Sequence, residues 1–161
     1  MWGYVSMGMK PGQPVLEVLE GRLEEVTRIA NSHTVANDLW AYATMGRDPG
    51  GRVMAALGTR IEALSRDFRP REAAKALWAA CNVCAYGAGV WISIANTFAA
   101  CSVVAADELD VASLGQLHQV LLSCRLEEGL SLRMPPAFLE LESAWGPRAC
   151  RHSSVGRPRH L

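Results

Sequence analysis

The chain has 161 residues, enough for one domain, and half of them are apolar against a fifth charged, a globular balance. Sixteen basic and sixteen acidic residues leave a formal net charge of zero, which excludes a whole-domain basic field for nucleic acid but leaves room for a local basic face. Asn96 interrupts the longest apolar stretch, Gly87 to Ala106, so no membrane-spanning helix is expected; no signal or transit peptide is visible, which carries little weight in a chain that opens inside a repeat.

In chain order, residues 1–8 read as the tail of one helix and residues 9–14 as a turn carrying Pro11, Gly12 and Pro14. Residues 15–30 read as a long helix with Glu17, Glu20, Glu24 and Glu25 on its polar side. Over residues 33–45 the apolar stripe Val35, Leu39, Tyr42 and Ala43 has helical spacing, and Gly46 supplies a left-handed terminus before the turn Arg47-Asp48-Pro49-Gly50-Gly51. Over residues 52–66 the stripe is Val53/Met54, Leu57, Ile61 and Leu64. Pro70 suits the first turn of the next helix, residues 71–83. A glycine-rich turn, Ala85 to Gly89, leads to an unusually apolar helix at about residues 90–105, expected to be buried on most sides. Asp110 can cap a further helix bearing Leu114, Leu117, Leu121 and Leu122. Arg133-Met134-Pro135-Pro136 opens a short helix from Ala137 to Trp145, ended by Gly146-Pro147. Residues 1–145 thus form a helical repeat domain. Residues 146–161, with Arg148, Arg151, Arg157 and Arg159 and no acid, read as a disordered basic tail or as an arm that touches phosphates.

These helices repeat. Trp2, Trp40 and Trp78 lie 38 residues apart in both intervals. Ala36-Asn37-Asp38-Leu39-Trp40-Ala41 is matched by Ala74-Lys75-Ala76-Leu77-Trp78-Ala79, and in part by Met1-Trp2-Gly3-Tyr4. The intervening segments match too, at Val15/Val53, Leu16/Met54, Leu19/Leu57, Leu23/Ile61 and Val26/Leu64, with Arg22 and Glu24 recurring as Arg60 and Glu62. A fixed period of this length marks stacked two-helix units, each of which buries its apolar stripe only against its neighbours. The expectation is an all-α fold of about seven or eight helices, an α-solenoid of antiparallel helix pairs. Because Met1 aligns with Leu39, the first half of a helix is missing, and a true N-terminus is expected further upstream.

The chemistry-bearing residues are sparse. Of five cysteines, Cys81, Cys101 and Cys124 sit in apolar helical surroundings and read as reduced core residues. Cys81-Asn82-Val83-Cys84 is a lone CxxC without the further ligands that zinc needs. His118 has acids and Cys124 nearby in sequence, but no nucleophile, base and orienting group line up, so no enzyme and no cofactor is expected.

A 38-residue two-helix unit with Ala-Asn-x-Leu-Trp-Ala-x-Ala-x-x-Gly, read at residues 36–46, resembles octotricopeptide repeat proteins. It is also similar to the repeats upstream of RAP domains in FAST-kinase-like and in apicomplexan or algal organelle proteins. Gln116-Leu117-His118-Gln119-Val120-Leu121-Leu122 followed by Arg133-Met134-Pro135-Pro136 resembles the segment that joins such repeats to a RAP domain, which would follow near residue 146 and is absent. The resemblance covers about residues 1–145. It implies an RNA-binding α-solenoid in a mitochondrion or chloroplast, acting on the stability, processing or translation of specific transcripts, with single-stranded organelle RNA as partner and no catalytic residues in the repeat. Helical-repeat RNA binders read bases through polar positions on one helix per unit. The candidates are His33, Thr34, Asn37 and Asp38, with Arg71, Glu72 and Lys75 one period on; the alternative is an ordinary solvated face. Trp40 and Trp78 are expected in the core rather than stacked on bases. The runner-up function is a protein-interaction scaffold, such as a structural subunit of an organelle ribosome, which the zero net charge favours.

Overall fold

The structure, a computed structural model, describes residues 1–83, 89–105, 108–126 and Pro136. Among these residues it is all-α: α1 (Trp2–Ser6), α2 (Gln13–Thr27), α3 (Ser32–Met45), α4 (Gly51–Ala63), α5 (Pro70–Asn82), α6 (Gly89–Ala105) and α7 (Val111–Leu126), with no strand. The glycine-rich turn, the second cysteine of the CxxC, the helix expected from Ala137 to Trp145 and the basic tail lie outside the described residues. No described helix is long and apolar enough to cross a membrane. The helix starts carry the sequence spacing: Gln13, Gly51 and Gly89 are 38 residues apart, as are Ser32 and Pro70.

The boundaries have local causes. Asn31 caps α3, its Oδ1 accepting from the Thr34 backbone N–H at 2.9 Å and from the Thr34 hydroxyl at 2.9 Å. Gly46 ends α3 with φ 64°, a conformation that lets its N–H and that of Arg47 satisfy the Ala43 and Tyr42 carbonyls. Pro70 stands in the first turn of α5, where its missing N–H is harmless, and Glu72 Oε2 accepts from the Arg69 N–H at 3.2 Å. Asp110 caps α7 as its position implied, accepting from the Ser113 N–H at 2.8 Å and from the Ser113 hydroxyl at 2.7 Å.

The helices form two layers. α1, α3, α5 and α7 follow one another in the first layer, and α2, α4 and α6 in the second. Contacts of α5 with α6 and of α3 with α4 close the space between them. That space is the core. Val35, Leu39 and Tyr42 of α3, Leu57 and Ile61 of α4, Leu77 of α5, Trp91, Ile94 and Phe98 of α6 and Leu117 of α7 are fully or almost fully buried. Each such side chain stabilises by about 1.5–3 kcal/mol relative to exposure. α5 interleaves them with small residues, Ala73, Ala74, Ala76, Ala79 and Ala80, all buried, which let three neighbours approach it closely. At Gly58 of α4, a Cβ would come within 2.9 Å of Val90 Cγ2 on α6, so the absence of a side chain sets that helix spacing. Over residues 90–100, α6 is buried on most sides, as its composition implied, leaving Ile92, Asn96 and Ala100 exposed.

The tryptophans meet the core expectation only in part. Trp40 and Trp78 are half-buried and Trp2 is exposed. Trp78 packs against the core while its indole Nε1–H donates to Gln119 Oε1 on α7. An indole is too long to be enclosed at the rim of an alanine-rich helix and keeps its polar edge outside. Among the described residues the fully enclosed indole is Trp91, which the spacing did not single out.

Candidate nucleic-acid interface

The candidate residues all come from the first layer. The N-cap at Asn31 and Pro70 at the start of α5 fix the two helices in the same register. Position 37 of α3 therefore stands beside position 75 of α5, which the sequence alignment makes its equivalent. Lys75 Nζ donates to Asn37 Oδ1 at 3.0 Å, a bond spanning 38 residues. On its other side the Asn37 amide meets His33 Nε2 at 2.9 Å. With Oδ1 taken by an ammonium, Nδ2 must be the donor to His33. The imidazole then accepts at Nε2 and carries its proton on Nδ1, which faces Glu72 Oε1 at 3.4 Å. Arg71 lies 3.7 Å from Asp110 Oδ2, extending the row to the start of α7.

Six of the seven candidates share this edge of the layer, Glu72 among them through His33. His33, Asn37, Lys75 and, through Asp110, Arg71 belong to one polar row; Thr34 is occupied by the Asn31 cap. Asp38 departs from it. It is half-buried, and that burial raises its pKa above the ordinary carboxylate value, opposed by the positive charge of the amino terminus. Asp110 is lowered, chiefly by its two bonds from Ser113 and further by Arg71 and Lys75. Asp110 was not among the candidate contacts, yet with Glu72 it sets the charge of the row. The signal for Asp110 was its capping position, which pointed to structure rather than to a site.

Accessibility divides the row. His33 and Arg71 have more than half of their side-chain surface open to solvent. Asn37 is 8% exposed with both ends of its amide engaged, so a base edge reaches it only by displacing His33 or Lys75. The α2 glutamates lie on the other layer. Glu20 holds Arg47 through two bonds at 2.8 and 3.2 Å, and Glu24 pairs with Arg28 and Arg52.

Deeper in α3, Tyr42 is fully buried and its hydroxyl has no hydrogen-bond partner. Burial first, then the Glu20 and Asp38 carboxylates, raises its pKa. Cys81 and Cys124 are buried thiols and Cys101 a half-buried one, and no group of potential metal ligands occurs among the described residues. No family model, curated protein or solved structure significantly matches this chain.

Proposed function

We propose that the chain is an RNA-binding module of an organelle gene-expression factor, built as an α-solenoid of 38-residue helix pairs and acting on transcript stability, processing or translation in a mitochondrion or chloroplast. The observation that carries this is the row on the first two turns of α3 and α5. There, residues at equivalent places in successive units touch one another directly, Asn37 to Lys75, with the exposed His33 and Arg71 beside them. A single strand crossing α3 and α5 would meet one such set per unit, as helical-repeat RNA readers require. The resemblance to octotricopeptide and RAP-associated repeats supports the same reading, and the acidic α2 lies on the other layer.

The test is binding of fluorescent single-stranded oligoribonucleotides at low salt, read by anisotropy. Replacing Arg71 and Lys75 together by alanine should weaken all sequences alike. It should also flatten the salt dependence, by a slope of about 0.7 for each phosphate that is no longer neutralised. Replacing Asn37 should instead alter sequence preference. Failure of the full chain to bind any RNA would favour a protein-interaction scaffold. Two observations favour that second reading: the row is largely satisfied from within, and both ends of the layers present exposed apolar residues, Val15, Val18 and Val26 on α2 with Ile29 just beyond it, and Val111, Leu122 and Leu126 on α7.

A further inference from the structure

A cleft of about 680 Å³ opens where the α4–α5 turn meets the end of α6, lined by Ser65, Arg66, Arg69, Ala100 and Glu108 over a floor containing the buried Phe68. Its two arginines differ from most others among the described residues. Arg28, Arg47, Arg52 and Arg71 each face a carboxylate, and Arg60 donates to the Ala30 carbonyl at 2.7 Å. Arg66 and Arg69 are exposed, and neither has an ion-pair partner among the described residues. Among the described residues that line the cleft, two guanidiniums stand against one carboxylate, that of Glu108, an excess of one positive charge that complements one phosphodiester. Guanidinium groups present several fixed N–H donors, which suits the tetrahedral oxygens of a phosphate.

The place of the cleft matters as much as its charge. Arg69 is the residue before α5, two positions from Arg71, so the cleft adjoins the row of His33, Lys75 and Arg71 at the same edge of the layer. Arg66 also has an equivalent: Arg28 stands 38 residues earlier, at the end of α2.

We infer that this cleft is a phosphate-ester subsite, in which Arg66 and Arg69 clamp one backbone phosphate of a single-stranded RNA whose neighbouring nucleotides lie over the α3–α5 row. The assignment of the phosphate to RNA rests on the function proposed above; the phosphate chemistry of the cleft does not. Glu108 opposes a second anion, so the subsite takes one phosphate rather than a polyphosphate.

The experiment uses the full chain and the variant Arg66→Gln/Arg69→Gln, whose replaced side chains are exposed and keep comparable length. Anisotropy with a single-stranded oligoribonucleotide is measured across a salt series, and the arginine Nε–H resonances are followed by NMR during titration with uridine monophosphate. The expected result is an affinity for RNA on the order of tenfold lower in the variant, with a salt slope shallower by about 0.7, as one phosphate ceases to be neutralised. In the unaltered chain, uridine monophosphate should shift the Arg66 and Arg69 resonances. A variant that keeps both affinity and slope overturns the subsite, as does silence of both resonances toward uridine monophosphate and RNA. If the unaltered chain binds no RNA while uridine monophosphate still moves Arg66 and Arg69, the RNA function falls and the cleft stands as a site for a free nucleotide.

Discussion

Replacing Gly58 by alanine sets two effects of known size against each other. In the interior of α4, alanine is favoured over glycine by about 1 kcal/mol, because glycine loses more backbone freedom on folding. Against this, the new Cβ would stand 2.9 Å from Val90 Cγ2, closer than carbon atoms tolerate. Val90 cannot easily yield: it is 1% exposed, and a β-branched side chain in a helix has one strongly preferred rotamer. Overpacking of this kind costs about 1–3 kcal/mol, so Gly58→Ala should destabilise by roughly 1 kcal/mol net. Because the Val90 backbone is no nearer than 3.6 Å, one methyl group carries the whole conflict. Val90→Ala should therefore relieve it, and urea denaturation of the two single variants and the double variant should show a favourable coupling of about 1 kcal/mol or more. Gly21→Ala in α2 is the control: nothing lies within 4 Å of its added Cβ, so only the helix preference acts and stability should rise. If Gly58→Ala stabilises as much as Gly21→Ala, with no coupling to Val90, then α4 and α6 do not approach as described.

Tyr42→Phe should raise stability by about 1–2 kcal/mol, because it deletes a buried hydroxyl that has no partner; a loss of stability in thermal or urea unfolding would mean that the hydroxyl is bonded after all. Asp38→Asn should stabilise the chain at neutral pH. The folded-state pKa of Asp38 is raised by burial, so the folded state binds more protons than the unfolded one between the two pKa values, and stability falls as pH rises through that window. The advantage of the asparagine should therefore be complete above the folded-state pKa and fade as pH drops toward the ordinary carboxylate range, and a pH series of unfolding midpoints that shows no such trend would refute the assignment.

Much of the fold was legible because helices write their spacing into sequence. The stripe of Val35, Leu39 and Tyr42, the glycine at 46 and the proline at 70 gave α3 and α5 to within a residue at most boundaries. The 38-residue interval between tryptophans reappears between helix starts. The burial of those tryptophans was less legible, since periodicity reports which face a ring leaves from and not how far a neighbour covers it. Of the candidate site, the sequence showed that position 37 and position 75 are equivalent. It did not show that they bond to each other, because that depends on how closely α3 and α5 stack. Asp38 looked like its neighbours in the sequence, yet one residue of rotation along α3 separates it from Asn37 and withdraws it from the row.

The central position of α5 has a consequence for motion. It packs against α3, α6 and α7 at once, and eight of its thirteen residues are buried, whereas α1 has none buried and three residues of α2 are. Opening the molecule at its α1–α2 end separates one neighbour in each layer, while releasing α5 breaks three interfaces together. Local unfolding should therefore spread inward from the α1–α2 end and reach α5 late. The polar row is divided by the same gradient. Lys75 and Arg71 sit on the helix that opens late, Asn37 and His33 one helix nearer the fraying end. A ligand spanning both would slow that fraying by joining a more labile element to the most firmly held one.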